Sequence, residues 1–352
     1  MPSANAEHLL NFAAEMRRAN RPQDEMRALD QALALEPRNL RALLQKAALL
    51  ELTGRPRESA MAYRHALQLI PRGIELPAHL VPVVEYARAS VEANHRELEA
   101  FLEARLAPAR ERHAESESAR FDESLAILLQ KQRIYRQEPT FFYFPGLPSL
   151  PFYERTLFPW LDALEAAADD IRRELVSILA EGPMALEPYV ALQAGVPEYQ
   201  WKELNHSRRW GVYYLWREGR AEQEHMARCP RTIRALEGWP RWDANGPTVV
   251  FSILDARTRI PPHTGVNNAR LTVHLPLVIP PGCGLRVGAV TRAWEPGRAL
   301  VFDDTLEHEA WNESDAPRAV LILDTWNPLL TAAEREMVRI AVDGVRDYYA
   351  VA

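Results

Sequence analysis

The sequence predicts a multidomain α+β chain, with helical repeats followed by a β-sandwich or jelly roll. Two observations carry this. Up to about residue 135, apolar residues recur at helical spacing and whole blocks repeat at a fixed interval. Beyond Trp201, short runs rich in β-branched and aromatic residues alternate with glycine, proline, asparagine and aspartate. The expected division is a helical region over 1–135 and a β domain over 140–352.

In the first half, Leu9, Leu10, Ala13 and Ala14 return as Leu43, Leu44, Ala47 and Ala48. Arg21-Pro22 returns as Arg55-Pro56, and Ala32, Leu33, Leu35 and Pro37 return as Ala66, Leu67, Leu69 and Pro71. Each offset is 34 residues, so residues 5–72 resemble tetratricopeptide repeats, which are helix pairs of that period. Two repeats make a short solenoid, so further helices are expected over 76–130, around Val81–Val84, Leu98–Leu102 and Leu125–Leu129. The charged stretch 110–123 reads as a solvated helix face or turn. Such helices offer a surface for a protein partner.

From Thr140 to Pro151 the chain is rich in proline and aromatics and reads as an extended lead-in. One helix is expected over 158–179, on the spacing of Leu161, Leu164, Ile171, Leu175 and Ile178. Strands are expected at 210–216, 248–254, 270–279, 284–290, 299–302 and 318–326. Evenly spaced strands with such turns predict a sandwich or jelly roll.

Composition narrows the function. With 352 residues and 47% hydrophobic content the chain can fill ordinary cores. A net charge of −6 gives no basis for binding nucleic acid. No apolar run is long enough to span a membrane. The two cysteines, Cys229 and Cys283, exclude a disulfide scaffold and fit a cytoplasmic protein.

Three polar residues in the strand-rich part stand out: His263, His308 and Arg318. Two imidazoles suit a first-row transition metal and leave most octahedral positions open, as a bidentate keto acid and then O2 require. The arginine offers a planar fork for a carboxylate. By spacing alone, two histidines so far apart are more often structural or surface residues than metal ligands.

Their surroundings add to this. His263 lies in Pro261-Pro262-His263-Thr264-Gly265, and His308 in Phe302-Asp303-Asp304-Thr305-Leu306-Glu307-His308. Arg270-Leu271-Thr272-Val273-His274 and Trp294-Glu295-Pro296-Gly297 run between them, and Asp324-Thr325-Trp326-Asn327-Pro328 follows. Together with Tyr143-Phe144-Pro145-Gly146 and Cys229-Pro230-Arg231-Thr232, this resembles the aspartyl/asparaginyl β-hydroxylase family over about residues 140–335.

The resemblance implies a double-stranded β-helix (jelly-roll) dioxygenase using Fe(II), 2-oxoglutarate and O2. It implies His263 and His308 as metal ligands and catalytic residues. Arg318, Ser252 and His274 would bind 2-oxoglutarate. Gly265 stands where most related oxygenases carry a metal-binding carboxylate, which this family lacks. Strand alternation independently puts Arg270, Thr272 and His274 on one face, so Arg270 and Thr272 are expected at the substrate. Asp303 and Asp304 are expected to orient His308 or hold a turn, Glu307 and Glu309 to point away, and Trp294, Trp311 and Trp326 to pack the core.

The implied activity is hydroxylation of an unactivated C–H, at the β-carbon of an Asp- or Asn-like residue, peptide or amino acid. Family members acting on aspartate read Arg-Leu-Arg where this chain reads Arg270-Leu271-Thr272, so one pocket charge is missing. Asn327 replaces a histidine common at that place. The alternative is a non-catalytic interaction protein with a degenerate or sensing oxygenase domain. A zinc hydrolase lacks an obvious third ligand and general base.

Overall fold

The computed structural model describes residues 4–71, 76–182 and 186–350. Residues 1–3, 72–75, 183–185 and 351–352, and with them residue 72 of the expected repeats, lie outside these. The chain divides into two compact units, Met1–Gln132 and Arg133–Ala352.

The first unit holds α1 (Ala4–Arg18), α2 (Pro22–Leu35), α3 (Leu40–Leu52), α4 (Pro56–Gln68), α5 (Val81–Arg110) and α6 (Glu115–Leu128). Pro22 and Pro56 open α2 and α4, where a missing N–H costs nothing. Asn39 caps α3, its Oδ1 accepting from the Ala42 N–H at 3.0 Å. The repeated small residues Ala13, Ala28, Ala32, Ala47 and Ala66 are buried, which lets successive helices approach closely. These are the helical repeats expected from the 34-residue offset. The stretch 110–123 forms the end of α5, a turn and part of α6, with Arg110 bonded to Asp122 at 2.6 Å.

The second unit begins with an extended segment, as its prolines require. Its backbone bonds to the loops below it, Glu138 N–H to the Thr305 carbonyl at 2.8 Å and Thr140 N–H to the Gly265 carbonyl at 3.0 Å. The helix expected over 158–179 is two, α7 (Leu161–Ala166) and α8 (Ala168–Leu179), broken at Ala167.

Eleven strands follow: β1 (Glu187–Pro188), β2 (Trp210–Arg217), β3 (Arg220–Ala221), β4 (Val249–Leu254), β5 (Thr258–His263), β6 (Arg270–Val278), β7 (Cys283–Val287), β8 (Val290–Arg292), β9 (Leu300–Phe302), β10 (His308–Asn312) and β11 (Arg318–Trp326). Two short helices, α9 (Gln223–Ala227) and α10 (Pro230–Ala235), lie between β3 and β4, and α11 (Ala332–Ala350) ends the described chain. The strand expected over 284–290 is a hairpin instead, because Gly288 takes a positive φ of 57° between β7 and β8.

All the pairings within the two sheets are antiparallel. The larger runs β1-β2-β4-β11-β6-β9, with β3 on β2, and the smaller runs β5-β10-β7-β8. This two-sheet arrangement is the jelly roll. In the larger sheet, alternation decides both faces. Leu271, Val273, Leu275, Leu321, Leu323 and Phe251 turn outward into a core shared with Leu161, Leu164, Ile171 and Leu175 of α7 and α8. Each such side chain contributes about 1.5–3 kcal/mol on burial. Their neighbours Ser252, Arg270, Thr272, His274, Arg318, Ile322 and Asp324 turn the other way, into a cavity.

Candidate active site

That cavity has a volume of about 680 Å³, and all seven residues singled out from the sequence line it: Ser252, His263, Arg270, Thr272, His274, His308 and Arg318. The larger sheet supplies five of them, and the smaller sheet supplies the two histidines.

His263 ends β5 and His308 begins β10, and the two face each other in register. Directly opposite residues bring their side chains together, and the ring centroids are 4.1 Å apart. Each ring donates from Nδ1 to the carbonyl two residues before it, His263 to Pro261 at 2.8 Å and His308 to Leu306 at 3.1 Å. A carbonyl can only accept, so the proton sits on Nδ1 and the lone pair on Nε2 is free in both. Burial lowers the His263 pKa to about 3, helped by neighbouring His308, and burial lowers that of His308 to about 4. Both are neutral donors at physiological pH.

No carboxylate joins them: no cluster of three or more His, Cys, Asp or Glu suited to a metal occurs among the described residues. Gly265 explains this. A Cβ there would stand 2.3 Å from Asp304 Cγ and 2.4 Å from both its oxygens, so the Asp304 carboxylate excludes any side chain from position 265. The two-histidine set, each with a free Nε2 toward one cavity, fits a divalent iron that keeps open positions.

Arg318 is the largest fully buried side chain among the described residues. It has no salt-bridge partner among them, and its Nε and Nη1 have no hydrogen-bond partner. Its guanidinium lies over the Trp294 ring at 4.6 Å, and burial pulls its pKa down to about 10. An unpaired buried cation is costly, and a carboxylate entering the cavity would relieve it. Ser252 lies on the adjacent strand and accepts from Trp210 Nε1 at 3.0 Å, which leaves its hydroxyl proton to donate. His274 is buried with Nδ1 unpartnered, and burial holds its pKa well below the usual value, with Arg318 adding to the effect.

Residues 165–328 match the family model described as Aspartyl/Asparaginyl beta-hydroxylase. This stretch of the chain belongs to that family. The human Aspartyl/asparaginyl beta-hydroxylase is 37% identical over 38% of this chain and 18% of its own length. The human Aspartate beta-hydroxylase domain-containing protein 2 is 32% identical over 57% of this chain and 53% of its own. The Rhizobium tropici Ornithine lipid ester-linked acyl 2-hydroxylase is 31% identical over 52% and 63% respectively. This chain thus spans less than two thirds of each of the three. The cupin domain of Schizosaccharomyces pombe Cnp3 overlaps 24% of this chain and 58% of its own at a TM-score of 0.21 and 10% identity, too slight a likeness to bear on function.

Several expected roles change within this family domain. Arg270 lines the cavity but is held by two carboxylates: Nη2 donates to Asp304 Oδ2 at 2.8 Å, and Nη1 to Asp324 Oδ1. Burial alone would lower its pKa, but Asp304 and Asp324 beside it raise it. Burial raises the Asp324 carboxyl, with Arg270 pulling the other way. Backbone carbonyls, those of Leu306 and Asp304, hold the His308 ring, and neither the Asp303 nor the Asp304 carboxylate does. Asp303 holds a turn, the other role expected of it, accepting from Thr305 two residues on and also from Gln137, and burial raises its pKa to about 6.

Trp294 supports Arg318 rather than merely filling the core, whereas half-buried Trp311 packs over Gly284 and under Arg259. Glu307 and Glu309 do point away, into ion pairs with Arg133, Arg259 and Arg286. Asn327, in place of the family's histidine, is buried and donates from Nδ2 to the Tyr153 hydroxyl at 3.2 Å, tying the extended segment to the end of β11.

Sequence reasoning missed Asp324, which is brought to Arg270 only by strand register, and the aromatic wall of Tyr189, Trp201 and Trp210. Tyr189 stacks on Trp210 at 4.0 Å, and Trp201 meets the His263 ring edge-on at 5.0 Å. Tyr189 and Trp201 precede β2, where short runs broken by glycine and proline carry no periodic signal.

Proposed function

We propose that the second unit is an Fe(II)- and 2-oxoglutarate-dependent dioxygenase that hydroxylates an unactivated C–H bond. The observation that carries this is Arg318, a fully buried guanidinium with no anionic partner among the described residues, lining the same cavity as two histidines with free Nε2 atoms.

His263 and His308 would hold the metal through Nε2, each ring fixed by its carbonyl bond. Arg318 and the Ser252 hydroxyl would receive the distal carboxylate of 2-oxoglutarate, and His274 would contact its other end. Fe(II) with 2-oxoglutarate and O2 supplies the oxidising power, as the keto acid goes to succinate and carbon dioxide and a hydroxyl replaces a hydrogen on carbon. Val250, Ile260, Leu285, Phe302 and Ile322 wall the cavity and keep water from the reacting centre.

The relatives' names include hydroxylases of aspartyl or asparaginyl residues and of an acyl chain, so hydroxylation is what they share. A non-catalytic reading is disfavoured because the two histidines, Arg318 and Ser252 are all retained in one cavity. The helical repeats would serve to recruit a protein partner or substrate.

Purified without oxygen and loaded with Fe(II), the protein should give a visible charge-transfer band on adding 2-oxoglutarate. His308→Ala should abolish the band, and Arg318→Ala should raise the 2-oxoglutarate concentration needed for it at least tenfold. A metal-loaded wild type that shows neither a band nor a thermal shift with 2-oxoglutarate rules the reading out.

A further inference from the structure

The cavity wall beyond the histidines has an unusual charge balance. Arg270 lies between Asp304 and Asp324, and all three are largely or fully withdrawn from solvent. One cation against two carboxylates leaves the group with an excess of negative charge. Glu218 lines the same cavity. Arg318 and Arg270 are the only arginines or lysines along its lining among the described residues, and the proposed function assigns Arg318 to the co-substrate.

The group is also incompletely bonded. Asp304 Oδ1 is buried with no hydrogen-bond partner, although Oδ2 of the same carboxylate is bound to Arg270. The residue is 7% exposed and borders the cavity. A buried carboxylate oxygen left without a donor is unfavourable, and a donor entering the cavity would relieve it. Thr272, one step along the same face of β6, brings no charge.

A substrate carboxylate would therefore meet Asp304 and Asp324 with no free cation to receive it. A cationic group would instead supply the missing donor and offset the charge. The rings of Phe141, Tyr189 and Trp201 border the same cavity, and aromatic surroundings favour a cation over an anion. Arg270 Nε, also unpartnered, remains free to donate to a carbonyl oxygen of the substrate main chain.

We infer that the subsite formed by Arg270, Thr272, Asp304 and Asp324 receives a positively charged substrate group, a guanidinium or ammonium, and rejects a carboxylate. This rests on the oxygenase reading, since it assigns Arg318 to 2-oxoglutarate. It departs from the β-carbon of an acidic residue that the family resemblance implies. Thr272 and Asp304 are then the residues that set specificity.

The test uses the full chain, loaded anaerobically with Fe(II) and 2-oxoglutarate, and four heptapeptides. In each, a central arginine, lysine, asparagine or aspartate is flanked on both sides by three glycines. Dissociation constants are read by titration calorimetry. The arginine and lysine peptides should bind at least tenfold more tightly than the aspartate peptide, with the asparagine peptide between. Thr272→Arg should shrink or invert that order, and Asp304→Asn should weaken the two cationic peptides most.

An aspartate peptide binding as tightly as the cationic ones overturns the inference. So does equal binding of all four, or binding of none. A separate titration of the same preparations with 2-oxoglutarate alone distinguishes the two levels. If 2-oxoglutarate binds and the peptide order fails, only the substrate assignment is lost. If 2-oxoglutarate does not bind, the oxygenase reading fails.

Discussion

Gly265 admits a sharp test through Gly265→Ala. The added methyl would stand 2.3–2.4 Å from the Asp304 carboxyl atoms, where unbonded carbon atoms rest about 3.5–4.0 Å apart. Asp304 cannot yield freely, because Arg270 holds Oδ2 at 2.8 Å and the Asp304 carbonyl accepts the Gly265 N–H at 2.7 Å. Overpacking of this kind costs about 1–3 kcal/mol, and the reduced freedom of alanine in the unfolded chain returns about 0.4–1 kcal/mol. The net expectation is a loss of about 1–2 kcal/mol, rising toward about 3–5 kcal/mol if Asp304 is driven off Arg270. For a unit of this size that lowers Tm by about 2–8 °C, before any loss of the ion pair.

All nine tryptophans lie in Arg133–Ala352, so thermal denaturation followed by tryptophan fluorescence reads this unit alone. The decisive form is a double-mutant cycle. With Asp304→Ala already in place the clash is gone, and adding Gly265→Ala should be neutral or slightly stabilising. The coupling between the two sites should then exceed about 1 kcal/mol. If the two costs instead add to within about 0.5 kcal/mol, the carboxylate does not fill the space at 265, and the account of the missing ligand is wrong.

Other outcomes follow from the same geometry. Arg318→Met should raise the Tm of the co-substrate-free protein, since replacing a buried unpaired charge with an apolar side chain stabilises by about 1–4 kcal/mol, while 2-oxoglutarate binding falls at least tenfold. A lower Tm would show that Arg318 is already compensated. Burial holds His308 at about 4 and His263 at about 3, against about 6.5 in the unfolded chain. Metal-free stability should thus be full above pH 6.5 and decline as pH falls toward 4 and 3, by up to about 1.4 kcal/mol per pH unit for each ring. In denaturant titrations across that range His308→Gln should flatten the slope by about one proton, and an unchanged slope refutes the assignment. In the first unit, Asn39→Ala should cost about 1 kcal/mol by uncapping α3, read by far-UV circular dichroism during urea unfolding, and no change would mean water replaces the cap.

Much of the fold could be read where periodicity was strong. The 34-residue offset marks the helix pairs because Pro22 and Pro56 open equivalent helices, and the β-branched runs mark β2, β4, β6 and β11. Strand β5 was hidden by Pro261 and Pro262, which a ladder tolerates only at an edge, and β5 is an edge strand of the smaller sheet. Helix α11 was missed because only Val338 and Val342 of its residues are buried, a stripe too narrow to stand out. A signal was present nonetheless. Thr331-Ala332-Ala333-Glu334 is a capping box, with Glu334 N–H donating to Thr331 Oγ1 at 3.2 Å and Thr331 N–H to Glu334 at 2.8 Å.

The two ends of the cavity differ in what makes them. His263 and His308 are each fixed by a bond to a carbonyl two residues away, so each short stretch of sequence carries its own ring orientation. Only the meeting of the two depends on the β5–β10 register. The substrate end has no such local code. Arg270 on β6, Asp304 in the turn before β10 and Asp324 on β11 come together only because β6 and β11 pair with Asp324 opposite Thr272 and Trp326 opposite Arg270. A residue 54 positions from Arg270 thereby neutralises it, and the charge offered to a substrate changes sign from what Arg270-Leu271-Thr272 alone implies. Substitution of Asp324 should accordingly alter substrate charge preference as directly as substitution of Thr272, although only Thr272 lies in the Arg270-Leu271-Thr272 stretch. Freed by Asp324→Asn, Arg270 would gain an unpaired donor, and affinity for an acidic peptide should rise while 2-oxoglutarate binding stays within about twofold. Loss of both together would mean that Asp324 holds up the sheet rather than tunes the pocket.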